Sequence, residues 1–229
     1  YMVHWERGRD PKAQCGMTMT HRDSIELFRQ LGVAMVPELK APENGLPEGI
    51  TPDDYARQLL SEYRAANIPP EQVRLQSFDL RDVLFWVREG GAFGTQAVYL
   101  DDRYGENGFD HRAPASWSPG MEELASMGVR TIAPPLWVLL DLEDGNIVPS
   151  AYARDARSAG LDIVTWTLER SGSLEQGGGW YYRSIAPAIT RDSDVLRVLD
   201  VLAQQVKVSA VFSDWPATTT FYANCLGLD

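Results

Sequence analysis

The strongest constraint on this chain is an alternation. Short apolar runs of strand length are separated by stretches with an amphipathic helical period. The strand-like runs are Val33–Lys40, Val73–Phe78, Gln96–Leu100, Val129–Ala133, Leu161–Thr167 and Val208–Asp214. Thr20-His21-Arg22-Asp23 reads as a helix start, with Thr20 as N-cap and Asp23 three residues on. Ile25, Leu27, Phe28 and Leu31 form its apolar stripe, and Gly32 ends it. Thr51-Pro52-Asp53-Asp54 repeats the device ahead of Tyr55, Leu59, Leu60 and Tyr63. Further helices are predicted over Leu80–Arg88, from Ser118-Pro119 to Met127, over Ser150–Ala159, over Asp194–Gln204 and after Pro216. Amphipathic helices between nearly all-apolar strands mean a parallel sheet covered by helices.

Two parallel architectures compete. A doubly wound sheet usually carries a glycine-rich phosphate turn after its first strand. Here Glu38-Leu39-Lys40-Ala41-Pro42 stands in that place. The expectation is therefore an α/β chain of TIM (β/α)8-barrel type. About 250 residues hold eight β/α units, so this chain reads as an incomplete barrel of about six. No linker or shift of composition divides residues 1–229, which read as one domain, and the chain opens on Tyr1 instead of Met. It is expected to be the C-terminal portion of a longer barrel. Such an open sheet would leave two edges to be covered by its own missing N-terminal segment or by a second copy.

Composition excludes some partners. The net charge of −11, with no run of Lys or Arg, argues against nucleic acid. The apolar run Leu136–Leu140 falls far short of the roughly 18 residues of a membrane span. Cys15 and Cys225 belong to no CxxC or Cys/His cluster, so zinc is not expected. One disulfide and two thiols fit their spacing equally.

In parallel α/β folds, ligands bind at the carboxyl ends of strands. Collecting those positions gives Glu38 and Lys40, Gln76 and Ser77, Tyr99, Asp101 and Asp102, Trp166, and Ser213 and Asp214. Val33–Lys40 reads as a buried strand with Ala34, Val36, Glu38 and Lys40 on one face. The set offers a carboxylate for a metal, an ammonium for an anionic group and an aromatic wall. It lacks a histidine: His4, His21 and His111 fall in irregular, helix-start and loop positions and read as solvated. Gly177-Gly178-Gly179-Trp180-Tyr181-Tyr182 has no nucleotide-loop Lys and reads as a surface insertion or a lid.

Several strand ends together resemble the glycerophosphodiester phosphodiesterase family. Pro37-Glu38-Leu39-Lys40 is similar to its Glu-x-Lys strand, Gln76-Ser77-Phe78-Asp79 to its Ser-Phe strand, Val164-Thr165-Trp166-Thr167 to its Trp-Thr strand, and Phe212-Ser213-Asp214-Trp215-Pro216 to its Thr-Asp-x-Pro end. They occur in the family's order, from about Thr20 to the C-terminus. The resemblance implies hydrolysis of glycerophosphodiesters to an alcohol and glycerol 3-phosphate, with Ca2+ or Mg2+ as cofactor. It makes Glu38 a metal ligand and Lys40 the catalytic and phosphate-facing cation. Gln76 joins the substrate pocket, and Trp166 lines its glycerol side. The family's His-Arg-Gly, Glu-x-Asp and His-Asp motifs do not occur here; Thr20-His21-Arg22-Asp23 lacks the glycine and starts a helix. The acidic balance and the family's frequent export suggest a secreted or periplasmic parent.

Two other classes fit the same residues. One is a catalytically inactive barrel that binds a phosphorylated polyol or a protein partner. The other is a sugar-cleaving barrel using paired carboxylates, Glu38 with Asp101 or Asp214.

Overall fold

The structure, a computed structural model, describes residues 19–169 and 172–228. The first helix, α1 (His21–Leu31), starts on a capping box: the Asp23 amide donates to Thr20 Oγ1 at 3.2 Å, and the Thr20 amide donates to the Asp23 carboxylate at 3.1 Å. Gly32 closes it in the left-handed conformation, φ 66°. Thr51 and Asp54 build the same box at the start of α2 (Pro52–Ala65). Then follow β1 (Gln76–Ser77), α3 (Leu80–Glu89), β2 (Val98–Leu100), α4 (Met121–Ser126), β3 (Thr131–Ala133) and α5 (Leu136–Leu139). The chain continues through β4 (Leu140–Glu143), β5 (Asn146–Pro149), α6 (Ala151–Ser158), β6 (Asp162–Thr165), α7 (Asp194–Asp200), β7 (Ala210–Val211) and α8 (Pro216–Leu226). A π-helical turn, Val201–Val206, extends α7.

Five strands form one parallel sheet in the order β1-β2-β3-β6-β7. Residues 35–39 extend it beyond β1 through parallel bridges from Met35 to Val73 and from Glu38 to Gln76. Five of the six expected strands are present, trimmed at their ends, and the sixth, Val33–Lys40, joins only through the bridges of Met35 and Glu38. The expectation that Val33–Lys40 is buried is overturned. Met35 and Leu39 are buried, but Val36, Glu38 and Lys40 are exposed because this is an edge. The Met35, Pro37 and Leu39 backbone groups bond across to β1 and the residues before it, so those of Val36 and Glu38 point outward. Among the described residues no backbone group pairs with them, and nothing joins this edge to β7. The parallel sheet and its helices resemble a (β/α) barrel, and among the described residues the sheet does not close.

Each face of the sheet has its own core. Met35, Leu39, Val73, Leu75, Ile132 and Ile163 pack under the helices against Leu60, Trp86, Leu124 and Tyr152. Trp86 is fully buried and donates from Nε1 to the Ala56 carbonyl at 3.0 Å, tying α3 to α2. Burying a side chain of this size contributes about 3 kcal/mol. On the opposite face Val98, Leu100, Ala133 and Val164 form a small cluster, partly covered by Phe78, Trp166 and Phe212. Strand register places Glu38, Gln76 and Val98 side by side in one row of this second face.

The hairpin β4–β5 is an addition to the expected pattern. Its turn holds Asp144 and Gly145 at φ 50° and 79°, the positive pair that a tight two-residue hairpin requires.

Candidate functional site at the strand ends

Glu38 and Lys40 leave the edge strand on the same side and line a cleft of about 580 Å³. The β1–α3 connection adds Phe78, Asp79, Arg81 and Asp82, and Asp102 enters from the end of β2. Asp79 is the N-cap of α3: it accepts from the Arg81 amide at 2.9 Å and holds the Arg81 guanidinium at 2.7 Å. Helix α3 thus begins at the cleft with a fixed ion pair.

Two carboxyls of the cleft are perturbed. Burial pushes Asp82 up, against a hydrogen bond that Ser77 Oγ donates to it at 3.0 Å. Burial also pushes Asp102 up, with its own backbone hydrogen bond opposing and the charges of Asp101 and Glu106 adding to the rise.

Of the expected site residues, the structure brings Glu38 and Lys40 together and places Gln76 behind them. Gln76 is buried, its Oε1 has no hydrogen-bond partner among the described residues, and it does not line the cleft. Trp166 is half-buried and held by a 2.7 Å hydrogen bond from Nε1 to the Ala133 carbonyl. It reaches the cleft through Phe78, whose ring meets it edge-on at 5.8 Å. Asp101 and Asp214 do not line the cleft. Asp101 is buried in an ion pair with Arg103, and Asp214 follows β7 at the opposite end of the sheet, its amide bonded to Glu169 at 3.0 Å.

The histidines are not the solvated residues expected. His21 bridges α1 to α2, with Nδ1 2.7 Å from Glu62 and Nε2 3.2 Å from the Tyr63 hydroxyl. His111 is buried, its ring edge-on to Trp137 at 5.4 Å. His4 and Cys15 lie outside the described residues, and Cys225 is exposed on α8. Sequence reasoning passed over Arg81 and Asp82, and collected Asp102 among the strand ends without giving it a role. The readable signal for the first two was Ser77-Phe78-Asp79, a strand end running directly into an N-cap, which forces the first helical turn against the strand mouth.

A Ca2+ or Mg2+ ion takes about six or more oxygens. Glu38 and the orphaned Gln76 amide oxygen, neighbours in register, supply part of such a set. Among the described residues no group of three or more His, Cys, Asp or Glu side chains is placed to hold a metal, so these residues alone do not make a cation site.

Comparison with known proteins adds the following. No protein-family model matches the chain. Its fold is similar to a crystal structure assigned as a glycerophosphoryl diester phosphodiesterase from Silicibacter pomeroyi, with TM-score 0.57 and 14% identity over 91% of this chain. It is also similar to a glycerophosphodiester phosphodiesterase from Parabacteroides distasonis, with TM-score 0.54 and 14% identity over 90% of this chain. The chain spans 56% and 64% of the lengths of those two proteins. At this identity the likeness is one of fold. In sequence, 220 residues are 45% identical to an "Extracellular protein" of Arthroderma benhamiae, covering 93% of this chain and 88% of that protein. The chain belongs to the same family as this extracellular protein.

Proposed function

We propose that the chain carries part of the site of a phosphoric diester hydrolase, one that cleaves glycerophosphodiesters to an alcohol and glycerol 3-phosphate. The observation that carries this reading is the pair Glu38 and Lys40, two residues apart on one exposed face, lining the cleft beside Arg81. A phosphodiester is an anion, and its attack by water needs that charge neutralised. Lys40 supplies a mobile ammonium, whereas the Arg81 guanidinium is already engaged by Asp79. The leaving alkoxide needs a proton, and Asp82 and Asp102, the two cleft carboxyls that desolvation pushes up, are the groups to supply it. Trp166 and Phe78 form the apolar wall on the glycerol side, and Gln76 backs it. Glu38 would be one ligand of the divalent cation, Ca2+ or Mg2+. The name of the Arthroderma benhamiae relative supports a place of action outside the cell.

The test is release of glycerol 3-phosphate from a glycerophosphodiester in the presence of Ca2+, with Glu38→Gln and Lys40→Ala alongside. A fall of about a hundredfold or more in either variant supports the reading. Undiminished release in both sinks it.

A second reading, an inactive barrel that binds a phosphorylated polyol, is favoured by one observation: among the described residues no histidine lines the cleft. If none of the three proteins releases product, Lys40-dependent binding of glycerol 3-phosphate decides for it.

A further inference from the structure

Five asparagines occur in the chain, and two of them, Asn44 and Asn107, are followed by glycine. The carbonyl carbon of an asparagine side chain lies within reach of the next backbone nitrogen, and a glycine at that place leaves the approach open. Asn67 and Asn146 precede the β-branched Ile68 and Ile147, which crowd it, and Asn224 sits inside α8. Asn44 and Asn107 are therefore the two reactive pairs, and both are exposed.

Crowding and backbone shape do not separate them. Gly45 has φ 74° and Gly108 has φ 91°, and a Cβ on either would meet nothing within 4 Å. The state of the attacking nitrogen does. The Gly45 N–H donates to the Pro42 carbonyl at 3.0 Å and closes a turn around Asn44. In the second turn the closing bond belongs to the next residue, the Phe109 amide donating to the Glu106 carbonyl at 3.3 Å. Among the described residues the Gly108 N–H has no hydrogen-bond partner, and the Asn107 side chain has none. A nitrogen held in a hydrogen bond must give it up before it can turn to attack, and a free one need not. The held nitrogen is the one at the cleft, which Gly45 lines.

We propose that Asn107 is a site of spontaneous deamidation in the folded protein, and that the turn from Pro42 to Gly45 protects Asn44. The Gly108 nitrogen, its proton lost to solvent base, bonds to the side-chain carbonyl carbon of Asn107. The bond from that carbon to the side-chain nitrogen breaks, and ammonia leaves. Water then opens the five-membered imide at one carbonyl or the other, giving aspartate or isoaspartate. One water enters and one ammonia departs, and nothing is oxidised or reduced. Each event adds a negative charge next to Glu106, in a loop that already carries Asp101, Asp102 and Asp110. The isoaspartate product also lengthens the backbone by one carbon.

The experiment is incubation of the intact chain in mildly alkaline buffer, folded and in urea, followed by peptide mass spectrometry with chromatographic separation of aspartate from isoaspartate. In the folded chain Asn107 is expected to convert at least about fivefold faster than Asn44, and in urea the two rates should converge. Equal rates in the folded chain overturn the proposal. So does an unreacted Asn107 in a folded chain whose urea-unfolded form converts at both pairs. A preference for Asn107 that persists unchanged in urea also overturns it, because the difference would then lie in local sequence and not in the hydrogen bond. Asn107→Gln, whose longer side chain closes the ring far more slowly, should remove most of the acidic forms that isoelectric focusing of the aged folded chain resolves. Their persistence in that variant would count against Asn107.

Discussion

Arg103 holds Asp101 in a chelate: its Nε donates to both carboxylate oxygens, at 2.9 and 3.1 Å, while each side chain is only 2% exposed. The Tyr152 hydroxyl also donates to Asp101, and Arg103 donates to the Pro119 carbonyl. The pair bends the chain after β2 so that Asp102 faces the cleft and Tyr104 meets the Trp180 ring edge-on. Removing one partner strands the other charge in the interior. Arg103→Ala is expected to lose about 3–5 kcal/mol of stability in urea denaturation, and Asp101→Leu with Arg103→Met to lose markedly less. A single-variant loss below about 1 kcal/mol would mean that water reaches the carboxylate.

His111 links stability to pH. Burial, helped by the Arg112 charge, holds its imidazole below the ordinary value, with Asp141 and Asp110 opposing. The unfolded chain therefore takes up a proton near pH 6.5 that the folded chain refuses. The contribution is fully present above about pH 6.5 and is lost as pH falls through the lower folded value. The urea midpoint should drop between pH 7.5 and 5, and the drop should be shallower in His111→Phe, whose ring can keep the contact with Trp137. An equal drop in both proteins would remove His111 from the account.

Gly178 and Gly45 separate two costs of adding a methyl group. Both have φ 74°, but a Cβ on Gly45 meets nothing within 4 Å, whereas on Gly178 it meets the Tyr182 ring. Gly45→Ala should cost about 1 kcal/mol from the backbone alone. Gly178→Ala should cost more, about 2–4 kcal/mol, and should weaken the near-ultraviolet circular dichroism of Trp180, whose ring stacks on Trp166. Equal costs would show that the Tyr182 contact relaxes freely.

Much of the fold was legible because local signals and burial agreed. The Thr-x-x-Asp boxes at Thr20 and Thr51 mark both first helices correctly. The strands were found because their apolar runs lie under helices on one side. The status of Val33–Lys40 was not legible, since an edge and a central strand differ only in neighbours that the local sequence does not name. The signal for the hairpin β4–β5, Asp144-Gly145, stood in the sequence and was not used. At the site, Glu38 and Lys40 were readable from strand alternation. Asp102 was collected without a rank, because only the Arg103 chelate distinguishes its exposed position from that of buried Asp101. The stacking of Trp180 on Trp166 was invisible for a similar reason: it depends on a bend made by Gly177, Gly178 and Gly179, all at positive φ.

The edge at Val36 and Glu38 gives the candidate site a second duty. An outward row of amides and carbonyls is a template on which other chains can polymerise, and charged side chains along such a strand act as gatekeepers. Glu38 and Lys40 are the two charges on this one. Neutralising them therefore touches colloidal behaviour as well as chemistry, and light scattering on Glu38→Gln and Lys40→Ala belongs beside every assay of those variants.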